Sequence, residues 1–176
     1  MSAEVSYRIN EASKCLGGLR SVMRNRRLEM SAKRRLYEGV VVPTVLYGAE
    51  TWNLREVDRK KLNVFEMKCL RSMVGVSIRD RFRNEEVRDW TGITSDLAER
   101  SDRKLLRWFG HVEHMDESRC VKRVWKSEVT GRRPRGRPRM RWMDGVKRAL
   151  NARGLTVADA VDRVGDRSEW RAIVSG

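Results

Sequence analysis

Apolar side chains recur at spacings of three and four residues along most of this chain. In the first such segment Val5, Ile9 and Ala12 are followed by Leu16 and Leu19. Because an α-helix has about 3.6 residues per turn, this spacing places the apolar side chains on one face, toward a core. The alternation that is typical of strands is hard to find. The sequence therefore predicts a mainly α fold, an irregular helical bundle.

Capping residues indicate where several helices begin. Asn53 with Glu56 resembles a capping box, in which a side chain before the helix accepts from its free amides. Thr156 with Asp159 forms a second pair of this kind. Pro138 suits the first turn of a helix that precedes Thr156, because the amide hydrogen that proline lacks is not needed in a first turn.

Proline and glycine mark the expected helix ends. Pro43 lacks an amide hydrogen, so it should break or kink the helix that precedes it. Gly75 and Gly92 follow helical segments, and we expect both to end them because glycine adopts the left-handed conformation easily.

The strongest local signal is the stretch Gly131–Trp142, with the sequence GRRPRGRPRMRW. Two prolines and two glycines interrupt its first eight residues, so they cannot form regular structure. The centre, Pro134–Pro138, matches the core of the AT-hook pattern. We expect an extended basic arm here, leading into a small C-terminal helical hairpin.

Such an arm can lie in the minor groove of an A·T tract, where a narrow groove concentrates negative potential and flanking arginines meet phosphates. The same arginines could instead grip structured RNA, and a solvated charge run in an Arg-rich linker is the third interpretation. The candidate nucleic-acid-binding residues are Arg132, Arg133, Arg135, Gly136, Arg137, Arg139 and Arg141.

The distribution of charge points to a polyanionic partner. The 176 residues carry 39 Lys and Arg against 24 Asp and Glu, a net charge of +15. Thirteen basic and two acidic residues lie between Arg119 and Arg153, so a net +11 falls in this stretch. DNA or RNA is the expected partner. A membrane is not expected, because no apolar run of about 18 residues occurs and the basic stretch lacks a continuous apolar face.

Signatures of catalytic and metal centres are missing from the sequence. It contains no adjacent Asp-Asp pair, phosphate-binding P-loop, GxSxG or HExxH motif, so we expect no catalytic residue and no cofactor. His111, His114 and Cys120 are close in sequence, but zinc normally needs a fourth ligand, and we expect no metal. Arg107 and His111 are possible phosphate contacts.

Two further groups have a structural and a functional interpretation. The charged segment Arg79–Arg88 is explained by ion pairs within a helix or by a phosphate or protein contact, and we favour the first. Aromatic residues on apolar helical faces are expected in the core rather than as platforms for stacked bases. These are Tyr47, Trp52, Trp108 and Phe109.

Several segments, in order along nearly the whole chain, resemble one family. These are Val41–Leu54, Lys61–Val87, Leu105–Met115, Gly131–Val146 and Asp166–Val174. They are similar to the C-terminal end of reverse transcriptases from non-LTR retrotransposons, the endonuclease and reverse transcriptase polyproteins of these transposable elements.

The resemblance implies a role and a division of the chain. Residues 1–75 would form a thumb-like region, residues 76–116 a helical post-polymerase region, residues 117–140 the basic linker or arm, and residues 141–176 the hairpin. This C-terminal part would hold template RNA or target DNA during target-primed reverse transcription. The palm of a full-length parent would be a partner. The N-terminus has no apolar signal-peptide segment, so we expect the protein inside the cell, and we assign it to the nucleus.

The departure from the family is equally informative. The endonuclease, the fingers and the palm with its Tyr-x-Asp-Asp metal site are missing, so no RNA-directed DNA polymerase activity is carried over to this chain. We expect a non-catalytic fragment, an element remnant. A partial gene model of an active polymerase and a domesticated AT-hook chromatin protein are the alternatives.

Overall fold

The computed structural model describes residues 2–127, 135–136 and 140–175. All regular structure in these ranges is helical, which confirms the mainly α, irregular bundle. The chain divides into two compact units: unit 1 contains Met1–Ala49 and Leu54–Ser101, and unit 2 contains Glu50–Asn53 and Asp102–Gly176. The division into four regions, at residues 1–75, 76–116, 117–140 and 141–176, stays a prediction.

Unit 1 is built from helices joined by short turns. In chain order these are α1 (Ser2–Gly18), α2 (Arg20–Met23), α3 (Met30–Leu36), a π-helical turn (Tyr37–Val41), α4 (Val42–Val45), α5 (Glu56–Val74), α6 (Asn84–Thr91) and the start of α7 (Leu97–Glu113). Pro43 cannot donate to the carbonyl four residues earlier, and the helix widens into the π-helical turn just before it. Gly75 and Gly92 end α5 and α6 with φ of 84° and 66°, as expected.

A buried carboxylate links the helices of unit 1. Glu66 on α5 is fully buried and accepts hydrogen bonds from the Tyr37 hydroxyl at 3.0 Å and the Arg88 guanidinium at 2.6 Å. Burial, reinforced by the charge of Glu66, raises the pKa of Tyr37, so this hydroxyl stays a donor. The expectation of ion pairs within Arg79–Arg88 is wrong for Arg88, which pairs with α5 instead.

Unit 2 continues with the rest of α7 and four more helices. These are α8 (Cys120–Lys126), α9 (Trp142–Asn151), α10 (Val157–Val164) and α11 (Arg167–Ser175). The capping box before α10 is confirmed: the Asp159 amide donates to the Thr156 hydroxyl at 3.2 Å, and the Asp159 carboxylate accepts from the Thr156 amide at 2.9 Å. Where the sequence indicated a hairpin, three consecutive helices follow residue 140.

Two expected helix starts are wrong. α5 follows Arg55 rather than Asn53, whose side-chain amide donates to a carbonyl far along the chain instead. α9 begins at Trp142, and Pro138 therefore does not lie in its first turn. Pro138 itself is outside the described residues.

Aromatic rings form the centre of the unit 2 core. Phe109 on α7 is fully buried, and its ring centroid lies 5.9 Å from both Trp125 on α8 and Trp170 on α11. Trp125 in turn contacts Trp142 on α9 at 5.8 Å, edge to face. Aliphatic side chains complete the core. They are Leu105, Leu106, Val146, Ala149, Leu150, Leu155, Ala160, Val164 and Val174.

The aromatic residues expected in the core differ in their exposure. Phe109 and Trp52 are buried, and Trp108 is half-buried. The expectation is wrong for Tyr47, which is 65% exposed. The Arg8 guanidinium lies 4.5 Å from the centroid of this ring, a cation–π contact that keeps it at the surface of unit 1.

The thiols of Cys69 and Cys120 differ in burial, and this difference provides a test of the unit 1 core. Burial raises the pKa of Cys69 to about 12, whereas Cys120 is exposed. Since the thiolate is the reactive form, we expect iodoacetamide at about pH 8 to alkylate Cys120 in the native protein and Cys69 only after unfolding. Mass spectrometry of tryptic peptides measures both, and equal native rates would contradict this packing.

Candidate nucleic-acid interface

The structure describes three of the seven arm residues. Arg135, Gly136 and Arg141 are exposed, and Gly136 has a φ of 122°. The other four arginines expected to contact nucleic acid lie outside the described residues. They are Arg132, Arg133, Arg137 and Arg139.

The C-terminal end of the arm is attached to unit 2 through its backbone. The Asn53 side-chain amide donates to the carbonyl of Arg141, and the carboxylate of Asp144 accepts from the Arg141 amide at 2.6 Å. Next to it, the Trp142 indole donates to the Glu50 carbonyl at 3.0 Å. The Arg141 backbone is therefore held at both its amide and its carbonyl, and the residue is exposed. This is the fixed point at which the arm ends.

The two possible phosphate contacts, Arg107 and His111, are exposed on α7. They line a cleft of about 560 Å³ on unit 2, which we call the α7–α11 cleft. Its other lining residues come from the same helix and from α11. They are Gly110, His114, Arg167, Trp170, Arg171, Val174 and Ser175.

Among the described residues, none that line the α7–α11 cleft carries a carboxylate. In the part of the chain that the structure describes, Arg107, Arg167 and Arg171 form no ion pair with a carboxylate. Other cations of unit 2 are neutralised, such as Lys122 by Glu113 at 2.6 Å. The cleft is therefore a surface of uncompensated positive charge.

Sequence reasoning missed Arg167 and Arg171, because they lie far along the chain from α7. A signal existed in their spacing of four residues, which repeats the spacing of Arg107 and His111. Residues four apart share a helix face, so each helix presents two nitrogen-bearing side chains to the same side. Only the packing of α7 against α11 brings the two pairs together.

The wall of the cleft depends on a glycine. A Cβ atom at Gly110 would lie 2.1 Å from Nε1 of Trp170, which is far inside van der Waals contact. Trp170 is only 5% exposed, so its ring has little room to withdraw. The Nδ1 atom of His114 lies 2.8 Å from the Gly110 carbonyl oxygen, which places this imidazole at the end of α7.

Across residues 2–127, 135–136 and 140–175 no group of three or more His, Cys, Asp and Glu side chains could hold a metal ion. None of the helices in these ranges has the length and apolar character needed to cross a membrane.

Replacing Gly110 by alanine should destabilise unit 2 by about 1–3 kcal/mol, because the Trp170 ring must move off its core position. Urea unfolding followed by tryptophan fluorescence measures this. Gly17→Ala is the matched control, since it is also a helical glycine and its Cβ would meet nothing within 4 Å. The control should be neutral or stabilising by up to about 1 kcal/mol. Equal stability of Gly110→Ala and the unaltered chain would contradict the packing.

Replacing Asn53 by alanine should release the end of the arm. The Arg141 carbonyl keeps the Asp144 amide as a donor at 3.0 Å but loses the Asn53 amide, and we expect a loss of about 1 kcal/mol together with faster hydrogen exchange in the first turn of α9. Asn10→Ala serves as the control because this asparagine is exposed on α1. Unchanged exchange in α9 would show that the Asn53 hydrogen bond does not hold the arm.

Comparison of the chain with models of protein families, with curated proteins and with solved structures finds no match. The resemblance to non-LTR retrotransposon reverse transcriptases therefore stays a prediction that rests on the five segments described above.

Proposed function

We propose that this chain is a non-catalytic nucleic-acid-binding region from the C-terminal end of a non-LTR retrotransposon reverse transcriptase. In this role it holds template RNA or target DNA. The observation that carries the proposal is the net charge of +11 between Arg119 and Arg153. A surplus of this density attracts a polyanion, and each phosphate that it neutralises releases counterions.

The attachment of the arm supports the same proposal. Arg141 has a fixed backbone and an exposed side chain, and Arg135 is exposed as well. Arginines presented in this way contact phosphates and set the register of a nucleic acid without reading its sequence. An arm fixed at one end loses less conformational freedom on binding than a free tail, which favours affinity.

The assignment to a retrotransposon rests on the sequence. Val41–Leu54, Lys61–Val87 and Leu105–Met115 carry the resemblance together with the arm and Asp166–Val174. Under this proposal the polymerase palm belongs to a full-length parent, and the present chain binds the template RNA or target DNA.

A second candidate function, a domesticated AT-hook chromatin protein, is favoured by the segment Pro134–Pro138. Gly136 has the positive φ that L side chains rarely adopt, and a glycine lets an arm approach the floor of a minor groove. Competition between A·T-rich and G·C-rich duplexes distinguishes the two. A strong preference for A·T-rich DNA would support the chromatin role, and equal affinity would remove it.

The proposed function predicts a steep dependence of affinity on salt. The double variant Arg135→Ala/Arg137→Ala should bind a DNA duplex more weakly and reduce the slope of log K against log salt by about 2, since each lost phosphate contact removes about 0.9 ion. Fluorescence anisotropy over a salt series measures both quantities.

The control for this experiment removes the same charge elsewhere. Arg26→Ala/Arg27→Ala lies in an exposed turn of unit 1, and we expect a much smaller change in the slope. Identical losses in both variants would mean that binding follows net charge alone. Unchanged binding by the Arg135→Ala/Arg137→Ala variant would exclude the arm as the main contact.

A further inference from the structure

The α7–α11 cleft combines arginine and histidine side chains from two helices. Arg107 and His111 stand one turn apart on α7, and Arg167 and Arg171 stand one turn apart on α11. Since residues four apart share a face, all four side chains are presented to the same opening. No acidic residue from the described part of the chain lines it.

When no anion is bound, the like charges of this cleft repel one another. Like charges four residues apart on a helix destabilise it, which applies to Arg167 and Arg171. The first turn of α11 does contain an acid, Glu169, but its carboxylate lies 3.7 Å from Arg163 on α10. An anion in the cleft would relieve the repulsion, so the fold favours the state in which one is bound.

The shape and rigidity of the cleft also suit a phosphate group. A volume of about 560 Å³ admits a phosphate with its attached sugar. Trp170 lines the cleft, and the centroid of its ring lies 5.9 Å from that of Phe109 in the core. This contact fixes α11 against α7, the two helices that carry the arginines. Guanidinium groups on a rigid base can donate two parallel hydrogen bonds to phosphate oxygens.

We propose that the α7–α11 cleft binds a backbone phosphate of a nucleic acid, held by Arg107, Arg167 and Arg171 with His111 at the rim. This site rests on the proposed function and deepens it, because it adds a contact surface separate from the arm. The arm contacts one part of the nucleic acid, and the cleft binds a separate phosphate.

The first experiment measures binding of a short DNA duplex by the double variant Arg167→Ala/Arg171→Ala. Two phosphate contacts are removed, so the slope of log K against log salt should fall by about 2 and the affinity by about tenfold or more at low salt. Combining these changes with Arg135→Ala/Arg137→Ala should give an additive loss if cleft and arm act as separate contacts. Both arginines are exposed, and far-UV circular dichroism checks that the variant folds.

A second experiment uses inorganic phosphate alone as the probe. The indole NH resonance of Trp170 should shift on titration with sodium phosphate in the unaltered chain, because this ring lines the cleft. The Arg167→Ala/Arg171→Ala variant should show no saturable shift, while Arg26→Ala/Arg27→Ala, with the same charge removed from unit 1, should respond as the unaltered chain does. A Trp170 shift that is equal in all three proteins would overturn the cleft.

The outcomes separate this site from the proposed function. If the cleft variant binds the duplex with unchanged affinity and slope while the arm variant is weakened, the cleft is overturned and the nucleic-acid function stands. If the unaltered chain binds neither DNA nor RNA, the proposed function fails, and so does a nucleic-acid ligand for the cleft. A loss in the cleft variant that merely equals that of the unit 1 control would also overturn the site.

Discussion

The packing of Phe109 against Trp125 and Trp170 is the contact on which unit 2 depends. These rings, together with Trp142, come from α7, α8, α11 and α9, and their edge-to-face and tilted contacts join four helices around one point. Residues two apart on a helix point in nearly opposite directions. With Phe109 facing inward, α7 therefore presents the residues two positions before and after it, Arg107 and His111, to solvent. The aromatic core and the basic surface are two consequences of one helix orientation.

The units treat charge in different ways. In unit 1, Glu66 is buried with both carboxylate oxygens occupied, and Lys33 donates to the Met73 carbonyl at 2.8 Å near the end of α5. Burial lowers the pKa of Lys33. Unit 2 has an ion pair between Lys122 and Glu113, but among the described residues the arginines of its α7–α11 cleft pair with no carboxylate. Paired charges stabilise the fold, and under the proposed function the unpaired ones bind nucleic acid.

The sequence predicted what depends on neighbours along the chain. The helical class, the ends at Gly75 and Gly92 and the capping box at Thr156 are local, so spacing and residue type suffice for them. It could not predict contacts made through packing. Asn53 looked like a cap because nothing local shows that its amide reaches the carbonyl of Arg141.

The same limit applies to the candidate site. Arg107 and His111 could be recognised on their own helix, but their counterparts on α11 become visible only when the helices pack together. Most of the arm was identified from composition alone, since proline and glycine spacing excludes regular structure without any knowledge of the fold.

The central claim is that the basic surface of unit 2 binds nucleic acid. Its most direct test is a map of backbone and arginine side-chain NMR resonances of the intact chain as a DNA duplex and an RNA hairpin are added. The account predicts saturable shifts concentrated at the arm, the first turn of α9 and the α7–α11 cleft, with unit 1 nearly unchanged. Shifts confined to unit 1, or none with either nucleic acid, would contradict it.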